Sequence, residues 1–367
     1  MIYDVAVIGG GPAGSAFAAR AAHAGLWIVL LDRPPSREHR IGESLPGSAL
    51  HLLRNSGFVP SATHIALKGS ISVWGGPTPL MEDHFGHPFG AGLRLDRALF
   101  DIELRAWAQN NGADLVHETI RLIRRDGSEQ FLLETNGGRQ VGSRYVVDAS
   151  GRSAFAARRL GAEHQGHQTL FAVYGMLPVR DARCARTVVV ATCEGWWYAV
   201  VVPGDRLLAS FHCDPRHARW LLRNAGAWLE HLKAVPMIAE QFGICTGEPP
   251  TLAIADASSR SLDHCQGDGW LAIGDAVRAF DPLTSQGLYA AIQDGIDGAE
   301  AVTASFSGNH EQLGAFIKRR AARHASIERR RRQVYLAEDR WAETPFWTLR
   351  QNQVGRDNYL QGSRRDD

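Results

Sequence analysis

Gly9, Gly11 and Gly14 form a Gly-x-Gly-x-x-Gly run. It is entered from the apolar stretch Asp4-Val5-Ala6-Val7-Ile8 and left through the alanine-rich Ser15-Ala16-Phe17-Ala18-Ala19-Arg20. A strand that turns into a helix against a phosphate needs this spacing. Gly9 permits the tight turn, Gly11 lets a pyrophosphate approach the backbone, and Gly14 lets the helix pack on its strand. Pro12 and Ala13 open the helix, whose free N–H groups and positive dipole end suit an anion. A second apolar run, Trp27-Ile28-Val29-Leu30-Leu31, ends in Asp32, a carboxylate placed to accept ribose hydroxyls. These residues are expected to bind a dinucleotide. They suit flavin and nicotinamide cofactors equally.

The other end of the chain separates the two. Trp270-Leu271-Ala272-Ile273 is a short apolar strand ending in Gly274-Asp275, and Pro282-Leu283-Thr284-Ser285-Gln286-Gly287 leads into a helical stretch from Leu288. The segment resembles the Gly-Asp segment of FAD enzymes with the p-hydroxybenzoate hydroxylase fold. That resemblance implies FAD, with Gly274 and Asp275 at ribityl or ribose hydroxyls. It sets the N–H groups around Ser285, Gln286 and Gly287 at the flavin N1/O2 edge, where negative charge gathers on reduction and a helix N-terminus is favourable, with Pro282 opening the segment that holds the ring. In the same family pattern Arg33 follows the ribose carboxylate, and Arg40-Ile41-Gly42-Glu43-Ser44 forms the first flavin-contacting loop. Arg97 opens a helix beside the cofactor, the backbone at Ile120 meets adenine, and Asp148-Ala149-Ser150-Gly151 ends the next strand.

A narrower resemblance rests on Gly42-Glu43-Ser44, Gly195-Trp196-Trp197-Tyr198 and Phe280-x-Pro282-x-x-Ser285-x-Gly287. Together they look like the flavin-dependent halogenase branch, and within it the LodB/GoxB/QhpG-type flavoproteins. Those modify tryptophan in a partner enzyme during biogenesis of a tryptophylquinone-type cofactor. The chain departs from true halogenases in two places. Their W-x-W-x-I-P motif is replaced by Trp196-Trp197-Tyr198-Ala199-Val200-Val201-Val202-Pro203. Their lysine that captures hypohalous acid has one counterpart near the expected position, Lys68, which follows Gly42-Glu43-Ser44 too closely.

The resemblance therefore implies an FAD-dependent monooxygenase acting on an indole ring, with O2 as co-substrate. FAD would be reduced by NAD(P)H directly or through a separate flavin reductase. The partner would be a protein bearing the target tryptophan, or otherwise a small aromatic molecule. A halogenase or hydroxylase of a small aromatic, or a geranylgeranyl-reductase-like oxidoreductase, is the alternative. Trp196, Trp197 and Tyr198 are candidates for the substrate side, and Asp281 and Glu43 for acid–base work. No catalytic side chain is assigned.

The elements that must position these groups read as an α/β fold. A Rossmann-like FAD-binding domain is expected from residues 1–60, 97–165 and 262–310. An inserted antiparallel β-sheet substrate domain is expected from 61–96 and 166–261, and a helical C-terminal segment from 311–367. Strands are expected over 186–193, 195–202 and 206–212, joined to 69–75. A chain of 367 residues, 44% hydrophobic and 22% charged, is long enough for two interlocked domains. A net charge of +1 gives no reason to expect nucleic acid. The dense arginines Arg319, Arg320, Arg323 and Arg329–Arg332 read as a solvated helix face, with docking to an acidic partner as the alternative. No apolar run approaches a membrane span, and the scattered cysteines without C-x-x-C suit a reducing cytoplasm and argue against thiol–disulfide chemistry. No histidine pattern reads as a metal-ligand set.

Overall fold

The computed structural model describes residues 2–34, 41–126, 130–179, 186–244 and 247–352. Arg40, Cys184, Cys245 and the last part of the expected C-terminal segment lie outside these residues.

The apolar runs at the two cofactor segments become neighbouring strands of one sheet. Trp270–Ala272, Gln140–Asp148, Ile2–Ile8, Ile28–Leu31 and Asp114–Val116 lie side by side, all parallel, within an eight-stranded sheet. Both faces of this sheet are covered, which is why its strands are continuously apolar rather than alternating. Val5, Val7, Ile28 and Leu30 pack towards the helices Pro12–His23, Arg97–Asn110 and Gly287–Phe306. Ala6, Ile8, Val29 and Leu31 pack the other way, against the antiparallel pair Ile120–Asp126 and Gln130–Thr135 and the short helix Phe155–Arg159. The period of two along each strand makes this division.

The second sheet has seven strands, in the order Ala253–Asp256, Phe171–Pro178, Arg206–Cys213, Gly195–Val202, Arg186–Thr192, Gly69–Val73, Leu80–Asp83. All neighbours are antiparallel except Gly69–Val73 and Arg186–Thr192, which run parallel. The expected sheet is thus present with one mixed pair. A parallel pair needs a long crossover, and here the chain passes through much of the cofactor-binding sheet before it returns. One face of the seven-stranded sheet carries Trp197, Phe211 and Val201 against Trp228, Leu229 and Ile238 of the helices between Pro215 and Phe242. The opposite face meets the C-terminal part of the chain through Trp196, Tyr335, Phe346 and Trp347.

Beyond Gly287–Phe306 the chain forms the helix Glu311–Leu336. Its basic stretch differs from the expected solvated face. Arg320 is buried and donates to the Ala272 carbonyl at 2.8 Å, Arg323 pairs with Asp294 and Asp297, and Arg331 and Arg332 both reach Glu328. Only Arg319, Arg329 and Arg330 of the group are exposed. A guanidinium offers five donors to carbonyls and carboxylates at once, so it can serve as an internal tie between elements. Among the described helices none is long and apolar enough to cross a membrane.

Candidate functional site

A cavity of about 650 Å³ is lined from both sheets. On the cofactor-sheet side it touches Gly11, Pro12 and Ala13 at the start of the first helix, together with Arg33, Gly42 and Ser44. Arg97, Asp275, Pro282, Ser285 and Gly287 complete that side. Gly9, Asp32, Gly274 and Gln286 stand in the supporting turns and Gly14 in the first helix rather than on the wall, and the cavity stops short of Ile120. Ile120 begins a strand, pairs with Thr135 and buries its side chain in the core beneath the sheet.

Local hydrogen bonding explains how the turns hold their shape. Asp281 accepts from the Leu283 N–H at 3.0 Å, and the Ser285 N–H donates to the Pro282 carbonyl at 2.9 Å. Ser285 sits in the left-handed region at φ 51°, which turns the chain into the helix Gly287–Phe306 with its N-terminus at the cavity. Gly274 donates its N–H to the fully buried Asp294 at 3.0 Å. Arg97 donates through Nη1 to the carbonyls of Ile41 and Gly42, each at 3.1 Å, and through Nη2 to Asp101. It therefore anchors the 41–44 segment from below.

Asp32 is held by a residue that sequence reasoning missed. Arg105, from the helix Arg97–Asn110, approaches its Oδ2 at 2.9 Å and also donates to the Gly10 carbonyl at 3.4 Å. No short-range pattern marks Arg105; its partner is distant in sequence. Asp275 lies 3.9 Å from Arg152. Desolvation raises the Asp275 carboxyl above its ordinary value, opposed by the charges of Arg152 and Arg97.

The opposite wall is the seven-stranded sheet. Trp196 and Tyr198 face the cavity with Tyr174, Ser210 and His212, whereas Trp197 points to the other side and is fully buried against Trp228. Ser44 and Tyr198 join the two walls through a 3.0 Å hydroxyl pair. Trp196 donates through Nε1 to the Tyr335 hydroxyl at 3.1 Å, and Tyr335 donates to Asp281 at 2.7 Å. Asp281 also has Arg331 at 3.9 Å and Arg350 at 4.0 Å. Burial pushes the Tyr198 and Tyr335 hydroxyls well above the usual phenol range. It pushes the His212 imidazole down to about 3, against partial compensation from the backbone at Trp196 and Ser210. Glu43 is buried on the wall, and Lys68 is exposed away from it. None of the three lysines in the sequence touches the cavity. Among the described residues no group of three His, Cys, Asp or Glu side chains could hold a metal ion.

His324 supports the same region from behind. It lies edge-on to Phe280 at 5.2 Å and 3.7 Å from Asp294. Burial, reinforced by Arg320, Arg278 and Arg323, lowers its pKa to about 3. A histidine neutral in the fold and protonated when unfolded contributes stability above its unfolded pKa, and loses it as pH falls towards the folded value. We expect His324→Gln to flatten the acid limb of the stability profile by up to about 1.4 kcal/mol per pH unit between about pH 6 and about pH 4. Urea unfolding across that range measures it; parallel profiles for both proteins would show that His324 is not held neutral.

The residues present fit a flavin dinucleotide. The space next to Gly11 and Gly287 is open, with no atom within 4 Å of where a Cβ would stand at either. Two helix N-termini point into the same cavity. The profile of the FAD binding domain family matches residues 2–331. The chain belongs to that family. It is an FAD-dependent oxidoreductase with a fold shared by flavin-dependent halogenases and hydroxylases. A putative FAD-dependent oxidoreductase, LodB, from Marinomonas mediterranea is 27% identical over 95% of this chain and 96% of its own length. The myxobacterial chondrochloren halogenase CndH superposes with a TM-score of 0.83 at 21% identity, over 98% of this chain and 89% of that one. QhpG, a peptidyl tryptophan dihydroxylase essential for tryptophylquinone cofactor biogenesis, superposes with a TM-score of 0.72 at 19% identity, over 96% and 79%. At those identities the two structures speak for the fold.

Proposed function

We propose that this protein is an FAD-dependent monooxygenase that hydroxylates an electron-rich aromatic ring, an indole by preference, in the cytoplasm. The tryptophan of a partner protein undergoing quinone-cofactor maturation is the favoured substrate. The observation that carries this reading is the shared cavity, which brings two helix N-termini and an aromatic sheet face together with no lysine on its wall. The likeness in length and sequence to LodB and in fold to QhpG supports the choice of substrate.

FAD, once bound and reduced by NAD(P)H or a separate reductase, supplies the activation of O2. The chain's own residues bind, orient and shield. We assign Gly9, Gly11 and Gly14 with Pro12 and Ala13 to the pyrophosphate, and Asp32 and Arg33 to the ribose side. Gly42, Ser44 and Arg97 would support the flavin from its loop, with Gly274 and Asp275 at the ribityl chain. The backbone N–H groups of Gln286 and Gly287 would be offered to the N1/O2 edge, where charge accumulates, with Pro282 and Ser285 shaping the turn that presents them. The segments 61–96 and 166–261 would cover the reacting side and exclude water. Tyr198 and Tyr335 are held protonated, so they donate hydrogen bonds and do not act as bases at neutral pH. Without a lysine on the wall, nothing there resembles the halogenase device for capturing hypohalous acid.

The test is mass spectrometry of the protein encoded next to this one, coexpressed with and without it. We expect a gain of about 16 or about 32 Da on a tryptophan-bearing fragment, shifted further when the cells grow under 18O2. An unmodified neighbour would overturn the protein substrate; halide-dependent chlorination or bromination of a small aromatic would overturn hydroxylation.

A further inference from the structure

The strand Arg206–Cys213 turns Leu208, Ser210 and His212 towards the cavity. Its register sets Trp196 opposite His212 and Tyr198 opposite Ser210 on one side, and Tyr174 beside Ser210 on the other. The result is a tile of aromatic and polar side chains on one sheet face. The His212 ring lies flat on Trp196, with centroids 3.6 Å apart and planes 4° from parallel. That contact fixes the plane in which the imidazole can hydrogen-bond.

Most polar atoms around this tile are already engaged. The Tyr198 hydroxyl meets Ser44, and the Trp196 indole N–H meets Tyr335. Two on the central strand are less well satisfied: Ser210 Oγ and His212 Nδ1 are buried and have no partner within hydrogen-bonding geometry among the described residues, although the Trp196 and Ser210 backbone lies near the imidazole. Their residues are only 3% and 4% exposed. Buried polar groups are normally paired, and an exception on a cavity wall points to a ligand that pairs them. A neutral imidazole offers one acceptor nitrogen, and a serine hydroxyl can donate or accept. Two residues apart on an extended strand, the pair is spaced by about 7 Å.

We propose that His212 and Ser210 are the substrate-recognition pair of this cavity. His212 accepts a hydrogen bond from a ring N–H or O–H of an aromatic substrate. Ser210 bonds a second polar group of the same molecule, and Trp196 and Tyr198 form the flat walls beside it. This deepens the monooxygenase reading and rests on it. The ligand is an indole or phenol with a free N–H or O–H, whether as a small molecule or as the side chain of a peptide. It is recognised at the sheet, away from the dinucleotide cradle.

The experiment is calorimetric titration of the FAD-loaded protein with indole, 1-methylindole, phenol and N-acetyl-tryptophanamide, alongside the 15N imidazole shift of His212. We expect indole and N-acetyl-tryptophanamide to bind about tenfold more tightly than 1-methylindole, the effect of one lost hydrogen bond. His212→Phe should erase that discrimination, His212→Gln should restore part of it, and Ser210→Ala should weaken N-acetyl-tryptophanamide more than indole. Binding of N-acetyl-tryptophanamide but not indole points to a peptide source, and the reverse to a small molecule. Equal affinity for indole and 1-methylindole in the parent protein overturns the proposal without any variant having to fold. Failure of every N–H and O–H probe to bind overturns it too. Flavin absorbance and dioxygen uptake, read in parallel, separate the two ideas. Full FAD content and aromatic-stimulated uptake, unchanged in His212→Phe, would overturn the pair and leave the monooxygenase. Discrimination between indole and 1-methylindole with no dioxygen uptake would leave the pair and overturn the monooxygenase.

Discussion

Gly11→Ala is expected to fold normally and lose its flavin, whereas Gly14→Ala is expected to lose stability before any flavin is added. Two glycines of one motif thus fail in opposite ways. Gly11 caps the first helix with φ −77° and ψ −173°, a conformation any residue adopts, and no atom lies within 4 Å of its would-be Cβ. A methyl group there meets nothing in the protein and fills the space into which the pyrophosphate would settle. Losing one or two charge-assisted N–H contacts of about 1.5–3 kcal/mol each lowers FAD affinity at least about tenfold, and about 100-fold for a loss of about 3 kcal/mol. At Gly14 the Cβ would lie 1.9 Å from the Gly9 carbonyl oxygen and 2.9 Å from the Ala149 Cβ. Neither neighbour is the end of a flexible side chain, so strand and helix must separate, at a cost of about 1–3 kcal/mol or more. Thermal melts of the flavin-free proteins and FAD titrations of both variants decide it. A Gly11→Ala protein that binds FAD as tightly as the parent would remove the phosphate role of this loop.

How much of this was legible in the sequence depends on how far apart the interacting residues lie. The first strand, turn and helix were readable because their pattern is local: an apolar run, spaced glycines, then alanines. The same holds for Trp270–Ala272 and the turn that follows. Which aromatics face the cavity was not readable. Trp196-Trp197-Tyr198 lies in a strand buried on both faces, so no polar alternation marks inside from outside. The adjoining strand does carry such a mark. Ser210 and His212 alternate with Ala209 and Phe211, and two polar residues at a spacing of two should have drawn notice. The ties made by Arg105, Arg320 and Arg323 run between distant segments. A run of arginines looks alike in sequence whether water or a buried carboxylate meets it, so the basic stretch read as solvated.

The Asp281 contacts are the most far-reaching of these ties, and they carry the second large prediction. Asp281→Ala is expected to destabilise the protein by about 3–5 kcal/mol, the range for removing one partner from a buried charged group. Asp281 is 2% exposed and does three things at once. Its Oδ1 caps the Leu283 N–H, its Oδ2 accepts the Tyr335 hydroxyl, and its charge faces Arg331 and Arg350. Each arginine keeps a second carboxylate, Glu328 at 2.5 Å for Arg331 and Asp214 at 3.8 Å for Arg350. The loss should therefore fall near the lower end of that range, and Asp281→Asn, whose amide oxygen still accepts one of the two hydrogen bonds, should lose less. The double variant Asp281→Ala with Arg350→Met tests the coupling, because it removes a buried cation together with its counter-charge. We expect it to be less unstable than the sum of the two single changes, by about 1 kcal/mol or more. Strict additivity in urea unfolding would mean that Arg350 answers to Asp214 and the Thr169 carbonyl alone. The same variants report on the site. The turn Pro282–Thr284 hangs from Asp281, while Tyr335 and Arg350 come from the far end of the described chain. If Asp281→Ala also weakens FAD binding while the double variant recovers stability without recovering affinity, the C-terminal segment sets the geometry of the flavin turn and does more than stabilise the fold.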